Sequence, residues 1–153
     1  MLKSNTANKK NIVFIIIITI FFLFDRYLKQ IAISANPNLN LLGENLKFVL
    51  SKNFNIAFSL PLSGSFLSIS ITLLIIILII FLLYLIKKRY SIIIILSLFT
   101  LILGATSNAL DRLVYGYVID YLDVFNFTIL NIADILISLG AMVLIITNFK
   151  NDK

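Results

Sequence analysis

Two short stretches, Asn108-Ala-Leu-Asp111 and Asn131-Ile-Ala-Asp134, each place an aspartate at an end of an apolar segment. Asp111 closes one segment and Asp134 opens the next. Successive membrane helices run antiparallel, so the end of one and the start of the next lie on the same side of a bilayer. Two carboxyl groups at one level are the minimum equipment for acid–base hydrolysis. Crowded together, they cannot both ionise easily, so one keeps a proton. The ionised group can then take a proton from water, while the protonated one donates to a carbonyl oxygen. Ionisable groups at membrane depth are costly, and by default they point to function.

The rest of the composition narrows the chemistry. The chain has 153 residues, with 60% hydrophobic residues, no Cys and no His. That absence removes disulfides, thiol nucleophiles, Cys/His zinc sites and every His-based triad. A soluble domain is typically about half apolar; with a mean hydropathy of +1.04 this chain belongs in lipid.

Four apolar segments must position the carboxylates: about 12–33, 66–86, 92–110 and 132–149. Each approaches the roughly 20 residues that cross a hydrocarbon core of about 30 Å. Four crossings put the two ends and the middle loop on one side, with eight basic residues there against one acid. The other side has five basic residues against six acids, so the excesses are +7 and −1, matching the net +6. The positive-inside rule makes the first side cytoplasmic. The positive charge is therefore topological, and nucleic acid is not an expected partner. Lys9-Lys10, an apolar run and Ala32-Ile33-Ser34 imitate a cleaved secretory signal. Asp25-Arg26 within that run, and three further spans, favour an uncleaved first helix.

Depth follows from helix rise. Asp111 lies roughly 30 Å beyond Arg89 and Asp134 roughly 24 Å before Lys150, at the outer edge of the hydrocarbon. Each has an Asn one turn earlier, able to orient a carboxylate or a water. Taken singly, each aspartate has an ordinary structural reading. Asn131 can be an N-cap with Asp134 as its N3 acid, and Asp111 can pair with Arg112. The matched pair favours catalysis by Asp111 and Asp134. Asp25 and Lys29, at i and i+4, form a helical ion pair about 22 Å beyond Lys10. They steady a substrate or snorkel at the interface. Asp120 and Asp123 read as solvated loop residues or as acceptors bracing the outer segment. A Ser59–Lys29 dyad has no local sequence support. Of the outer segments, about 36–65 has turn signals and a short alternating run that read as one or two strands, and about 112–130 reads as strand or interfacial structure; together they can form a small sheet on the outer membrane face.

These residues resemble the bacterial lipoprotein signal peptidase family, signal peptidase II. Asp25-Arg26-Tyr27-Leu28-Lys29 is similar to its Asp-x-x-x-Lys element, and Asn53-Phe-Asn-Ile-Ala57-Phe-Ser59 to its Asn-x-Gly-x-Ala-Phe-Ser strand. Gly104 to Arg112 resembles the Gly-x-x-Gly-Asn-x-x-Asp-Arg block, Tyr115 to Tyr121 continues it, and Phe127 to Asp134 resembles the Phe-Asn-x-Ala-Asp ending. Asn55 and Ser107 stand where the family usually has Gly. Asn tolerates left-handed backbone, and Ser is small enough for close helix packing.

The resemblance implies one α-helical integral membrane peptidase domain over 1–153, with four transmembrane helices and a small β-rich extracytoplasmic segment. It implies an aspartic endopeptidase of the bacterial inner membrane, with the active site near the extracytoplasmic face. Its substrate would be a prolipoprotein whose Cys carries diacylglyceryl, cut just before that Cys. The implied dyad is Asp111 and Asp134, supported by Asp25, Lys29, Asn53, Ala57, Asn108, Arg112, Asp120, Asn131 and Ala133. No metal or organic cofactor is implied, and the protein is expected to act as a monomer among membrane lipids. The alternative is a small proton or cation transporter using Asp25, Asp111 and Asp134, which predicts carboxylates spread across the membrane depth.

Overall fold

A computed structural model describes residues 2–54 and 65–151. Helix α1 (Leu2–Ala35) leads into strands β1 (Asn38–Leu42) and β2 (Leu46–Asn53). Helices α2 (Ser65–Lys87) and α3 (Ile92–Tyr115) follow, then β3 (Val118–Val124), β4 (Thr128–Leu130) and α4 (Ile132–Asn151). Three helical stretches, Lys9–Ala35, Phe66–Lys87 and Ile92–Tyr115, are long and apolar enough to cross a membrane, and Ile132–Thr147 is a shorter apolar helix.

Their exterior is lipid-like. Ile16, Ile20 and Leu23 on α1, and Leu73, Ile77 and Ile80 on α2, are each more than half exposed. The interior between α2 and α3 is Ile75, Leu82, Leu85, Leu98, Ile102 and Ala109. Helices α3 and α4 pack closely at two glycines. A Cβ on Gly104 would lie 2.5 Å from the Ala133 carbonyl oxygen, and one on Gly140 would lie 2.7 Å from the Ser97 carbonyl oxygen. Small residues allow such backbone approach within lipid, where van der Waals packing drives helix association.

Helix α3 runs one turn beyond the expected end near Leu110. It stops at Gly116, whose φ of 81° supplies the left-handed C-cap and whose N–H donates to the Arg112 carbonyl at 3.0 Å. Glycine takes this conformation without a Cβ penalty, so Asp111 and Arg112 belong to the helix's last turns.

The segments between α1 and α2 and between α3 and α4 supply the strands of the expected small sheet, antiparallel in the order β1-β2-β3-β4. Ala32, Phe48, Ile119 and Tyr121 pack between the sheet and the end of α1. Its two hairpin tips are tied together: the Phe125 N–H donates to the Asn45 carbonyl at 2.8 Å, and Lys47 Nζ to Asn126 Oδ1 at 2.8 Å. The β2–β3 register slips between Phe48↔Leu122 and Ser51↔Asp120, leaving one extra residue on β2. Side chains alternate faces along a strand. Without this bulge Lys52 would share the face of Asp120; with it, Asn53 does. Bulges re-aim side chains in this way beside functional sites.

Candidate active site

The last turns of α1, the last turns of α3, strand β3 and the first turn of α4 meet at one end of the helices. Nearly every buried polar side chain of the described residues is gathered there: Asp25, Lys29, Ser107, Asn108, Asp111, Asp120 and Asn131.

The start of α4 explains much of the arrangement. A helix leaves its first N–H groups without intrahelical partners. Here the Ile132 N–H donates to Tyr121 Oη at 3.2 Å, the Ala133 N–H to Asp25 Oδ1 at 3.2 Å, and the Asp134 N–H to Asn131 Oδ1 at 2.9 Å. Asp134 Oδ2 in turn accepts the Asn131 N–H at 3.3 Å. This is a reciprocal capping box, so the structural reading of Asn131 and Asp134 holds. It leaves Asp134 Oδ1 for Asn108.

Two amides fix the carboxylates around them. Asn108 Oδ1 accepts from Lys29 Nζ at 2.8 Å and from Asn131 Nδ2 at 3.3 Å, which turns Asn108 Nδ2 to Asp134 Oδ1 at 2.7 Å. The Asn131 carbonyl is committed to the α4 N–H, so its Nδ2 faces Asp120 Oδ1 at 2.6 Å and the Ile119 carbonyl at 3.2 Å. Asn53 Nδ2, brought to this face by the β2 bulge, donates to Asp120 Oδ2 at 2.9 Å. Asp120 and Asp134 are thus joined through the linked amides of Asn131 and Asn108.

Asp120 departs from the expectation of a solvated loop residue. It lies in β3 and is 2% exposed, because that strand is sandwiched between β2 and the helix ends. The alternative expectation, an acceptor bracing the outer segment, agrees with its Asn53 hydrogen bond. Burial, and next the charge of Asp134, push its pKa up to about 6, against the lowering effect of Asn53, Asn131 and Lys29. Asp123 is half-buried rather than solvated.

Asp111 also departs from expectation. It does not share a hydrogen-bonding group with Asp134, and its preceding Asn serves Asp134 instead. Asp111 is fully buried. Its Oδ1 accepts from Arg26 Nη1, and its Oδ2 takes Lys29 Nζ at 2.7 Å and the Ile119 N–H at 3.2 Å. The α1 cations Arg26 and Lys29 hold Asp111 from across the helix contact. The Arg112 guanidinium, half-buried, lies within electrostatic reach of Asp120, Asp134 and Asp111.

The Asp25–Lys29 pair forms at 3.2 Å, but it is buried and not a snorkelling surface pair. Asp25 also accepts from Ser107 Oγ at 2.6 Å and Tyr121 Oη at 2.9 Å. Burial and the Asp25 carboxylate push the Tyr121 hydroxyl well above the ordinary tyrosine range, so it remains a donor. Ser107, expected to preserve close packing, serves instead as a polar junction facing α1; Gly104 makes the close approach to α4. Arg26 and Tyr121 carry no expectation from the sequence. The i to i+4 spacing of Asp25 and Lys29 gave no sign that Arg26, one residue on, reaches across to α3. Ala57 and Ser59, with Asn55, lie outside the described residues. Among the described residues no group of three or more His, Cys, Asp or Glu side chains is arranged to hold a metal ion.

This fold and site define a membrane protein with a carboxylate-rich polar centre at one end of its helices. Residues 17–150 match the family model for signal peptidase (SPase) II. A lipoprotein signal peptidase of Clostridium tetani is 36% identical over 146 residues, covering 90% of this chain and 93% of that one. One from Streptococcus agalactiae is 33% identical over 143 residues, covering 89% and 92%. A bacterial membrane enzyme solved by the in meso method superposes with a TM-score of 0.78 at 26% identity, over 92% of this chain and 90% of the other. The chain belongs to the signal peptidase II family, which removes signal peptides from prolipoproteins. The transporter alternative is not favoured: Asp25, Asp111 and Asp134 gather in one cluster and do not string out along the helices.

Proposed function

We propose that this protein is an aspartic endopeptidase that cuts diacylglyceryl-modified prolipoproteins before the lipidated Cys, with Asp120 and Asp134 as its catalytic pair. The observation that carries the assignment is the coupling of these two groups. Asp120 is raised toward neutrality by burial and by Asp134, and the Asn131 and Asn108 amides hold the two carboxyls in one network. Asp111 is the weaker candidate, because two cations, Arg26 and Lys29, hold its oxygens, whereas the hydrogen bonds to Asp120 and Asp134 come from neutral amides.

In this mechanism the pair shares one proton. The ionised carboxylate removes a proton from water as it attacks the scissile carbonyl. The protonated carboxyl donates to the carbonyl oxygen and later assists departure of the amine. Asn108 and Asn131 keep their N–H groups on the pair and fix its geometry. Lys29 orients Asn108 and balances Asp25 and Asp111. Asp134 is half-buried, while Asp120 and Asp111 are closed off, so substrate reaches the pair from the Asp134 side.

Helix α4 serves as a fourth crossing in this reading, with both chain ends cytoplasmic and the sheet outside. The charge asymmetry supports that orientation. Leu42, Phe125 and Phe127, strongly exposed at the hairpin tips, suit a sheet resting on lipid. A site at the helix ends lets the diacylglyceryl chains stay in the bilayer while the peptide bond enters the polar centre.

The test is cleavage of a diacylglyceryl-modified precursor by the purified protein in detergent. Asp120→Asn and Asp134→Asn each abolish cleavage, while Asp111→Asn retains part of it. Full activity in folded Asp120→Asn, with loss in Asp111→Asn, would overturn the assignment in favour of Asp111 and Asp134.

A further inference from the structure

Arg26 has no role in the reaction as described so far, yet it is built into the site. It follows Asp25 on α1, turned about 60° around the helix from Lys29, with its side chain about a quarter exposed. Its Nη1 donates to Asp111 Oδ1, to the Ser107 carbonyl at 3.2 Å and to Ser107 Oγ at 3.4 Å. It therefore links α1 to α3 at a partly exposed edge of the cluster.

The charges of the cluster can be counted element by element. Helix α1 brings Asp25, Arg26 and Lys29; α3 brings Asp111 and Arg112; β3 brings Asp120; α4 brings Asp134. Strand β2 brings the neutral Asn53, and its Lys52 is exposed, with the ammonium 5.2 Å from the Tyr117 ring centroid. Four carboxyls therefore face three cations. A buried site resists uncompensated charge, and the cluster is neutral when it holds one proton. Asp25 is fully occupied as an acceptor: it accepts from Ser107, Tyr121 and the Ala133 N–H as well as from Lys29. Asp111 accepts from two cations, Arg26 and Lys29.

We propose that Arg26 is a positioning residue that neutralises Asp111 across the α1–α3 contact and so leaves the single proton of the cluster to the Asp120–Asp134 pair. Without Arg26, Lys29 alone serves both Asp25 and Asp111, and the pair holds its proton more tightly. The proposal rests on the Asp120–Asp134 reading.

The experiment is a pH–rate profile for cleavage of a diacylglyceryl-modified precursor by the full-length protein in detergent. Arg26→Gln displaces the acidic limb upward by roughly half a unit to one unit, the scale of one charge acting through an effective dielectric of about 20. Asp111→Asn displaces it downward, the double variant returns it toward wild type, and Arg26→Lys stays near wild type. A structural role alone lowers the rate at every pH and leaves the limb in place. That result in Arg26→Gln overturns the proposal. If Arg26→Gln does not fold, an unmoved limb in Asp111→Asn overturns it equally. Should Asp120→Asn or Asp134→Asn retain cleavage, the dyad reading itself fails. Should both abolish cleavage while the Arg26 and Asp111 variants leave the limb unmoved, only the role of Arg26 fails.

Discussion

The contact between Gly104 and α4 offers a quantitative handle on how the fold positions the chemistry. A Cβ at residue 104 would stand 2.5 Å from the Ala133 carbonyl oxygen, 2.9 Å from Ile137 Cγ1 and 3.1 Å from the Ile137 nitrogen. The closest of these atoms is backbone and cannot rotate away. Ordinary contact begins near 3.4 Å, so Gly104→Ala must push the first turn of α4 outward by about 0.9 Å. That turn carries Asp134, and its N–H groups bind Asp25, Tyr121 and Asn131. Overpacking of this kind costs about 1–3 kcal/mol of stability, and a misplacement near 1 Å lowers a rate about 100-fold. Gly140→Ala is the matched control. Its Cβ would meet the Ser97 carbonyl at 2.7 Å and the Leu101 nitrogen at 2.8 Å, on the same helix pair but farther along α4 from the site. Thermal unfolding in detergent and precursor cleavage, measured on both variants, separate the two effects. Both lose comparable stability, and Gly104→Ala loses far more of its cleavage rate. Equal rates in the two variants would refute the claim that the Gly104 contact sets the position of Asp134.

Three further outcomes follow from the site. Asp120 has its pKa raised from 3.8 to about 6 in the fold, so it binds its proton more tightly folded than unfolded. Its contribution to stability is fully present below about pH 4 and is lost as pH rises through about 6. Thermal midpoints of wild type and Asp120→Asn, compared between those values, therefore fall with pH more steeply in the wild type. Lys29→Met removes the cation shared by Asp25 and Asp111 and leaves buried carboxylates under-compensated, costing about 3–5 kcal/mol, read as loss of folded protein or a large drop in thermal midpoint. Tyr121→Phe removes a donor to Asp25 and an acceptor for the Ile132 N–H. It costs about 1–3 kcal/mol and loosens the first turn of α4, visible as faster amide exchange there.

Much of the scaffold was legible in the sequence, because membrane helices and strands leave local signals. Uninterrupted apolar runs of helix-spanning length locate α2 and α3, and alternation between turn residues locates the strands. The apolar run ends at the first charges, a turn before α3 does. In the structure Asp111 and Arg112 stay helical, and Gly116, which can adopt φ 81°, ends the helix. The β2 bulge was not legible at all. Nothing in Phe48-Val-Leu-Ser51 marks an extra residue; the slip exists only relative to β3, and it alone decides that Asn53 and not Lys52 faces Asp120.

The site was legible as a set of residue types and of partners within one helix end, Asp25–Lys29 and Asn131–Asp134, and not as partners across helices. Helix rise places Asp111 and Asp134 at one depth, and a repeated Asn-x-x-Asp suggests that each Asn serves its own aspartate. That inference holds for Asn131 and Asp134 because both lie in one capping box, a local structure that spacing can specify. It does not hold for Asn108 and Asp111. Those two side chains lie one turn apart, but Asp111 turns to Arg26 and Lys29 on α1 while Asn108 turns to Asp134 on α4. Spacing along one helix gives the angle between two side chains, whereas the neighbouring helices decide what each angle meets. Asp120 was underrated for the same reason. A carboxylate in a Tyr- and Val-rich outer segment reads as solvated until β2 and the ends of α1 and α4 close over it. Burial then raises the pKa of the Asp120 carboxyl to about 6, nearer neutrality than a carboxyl in water.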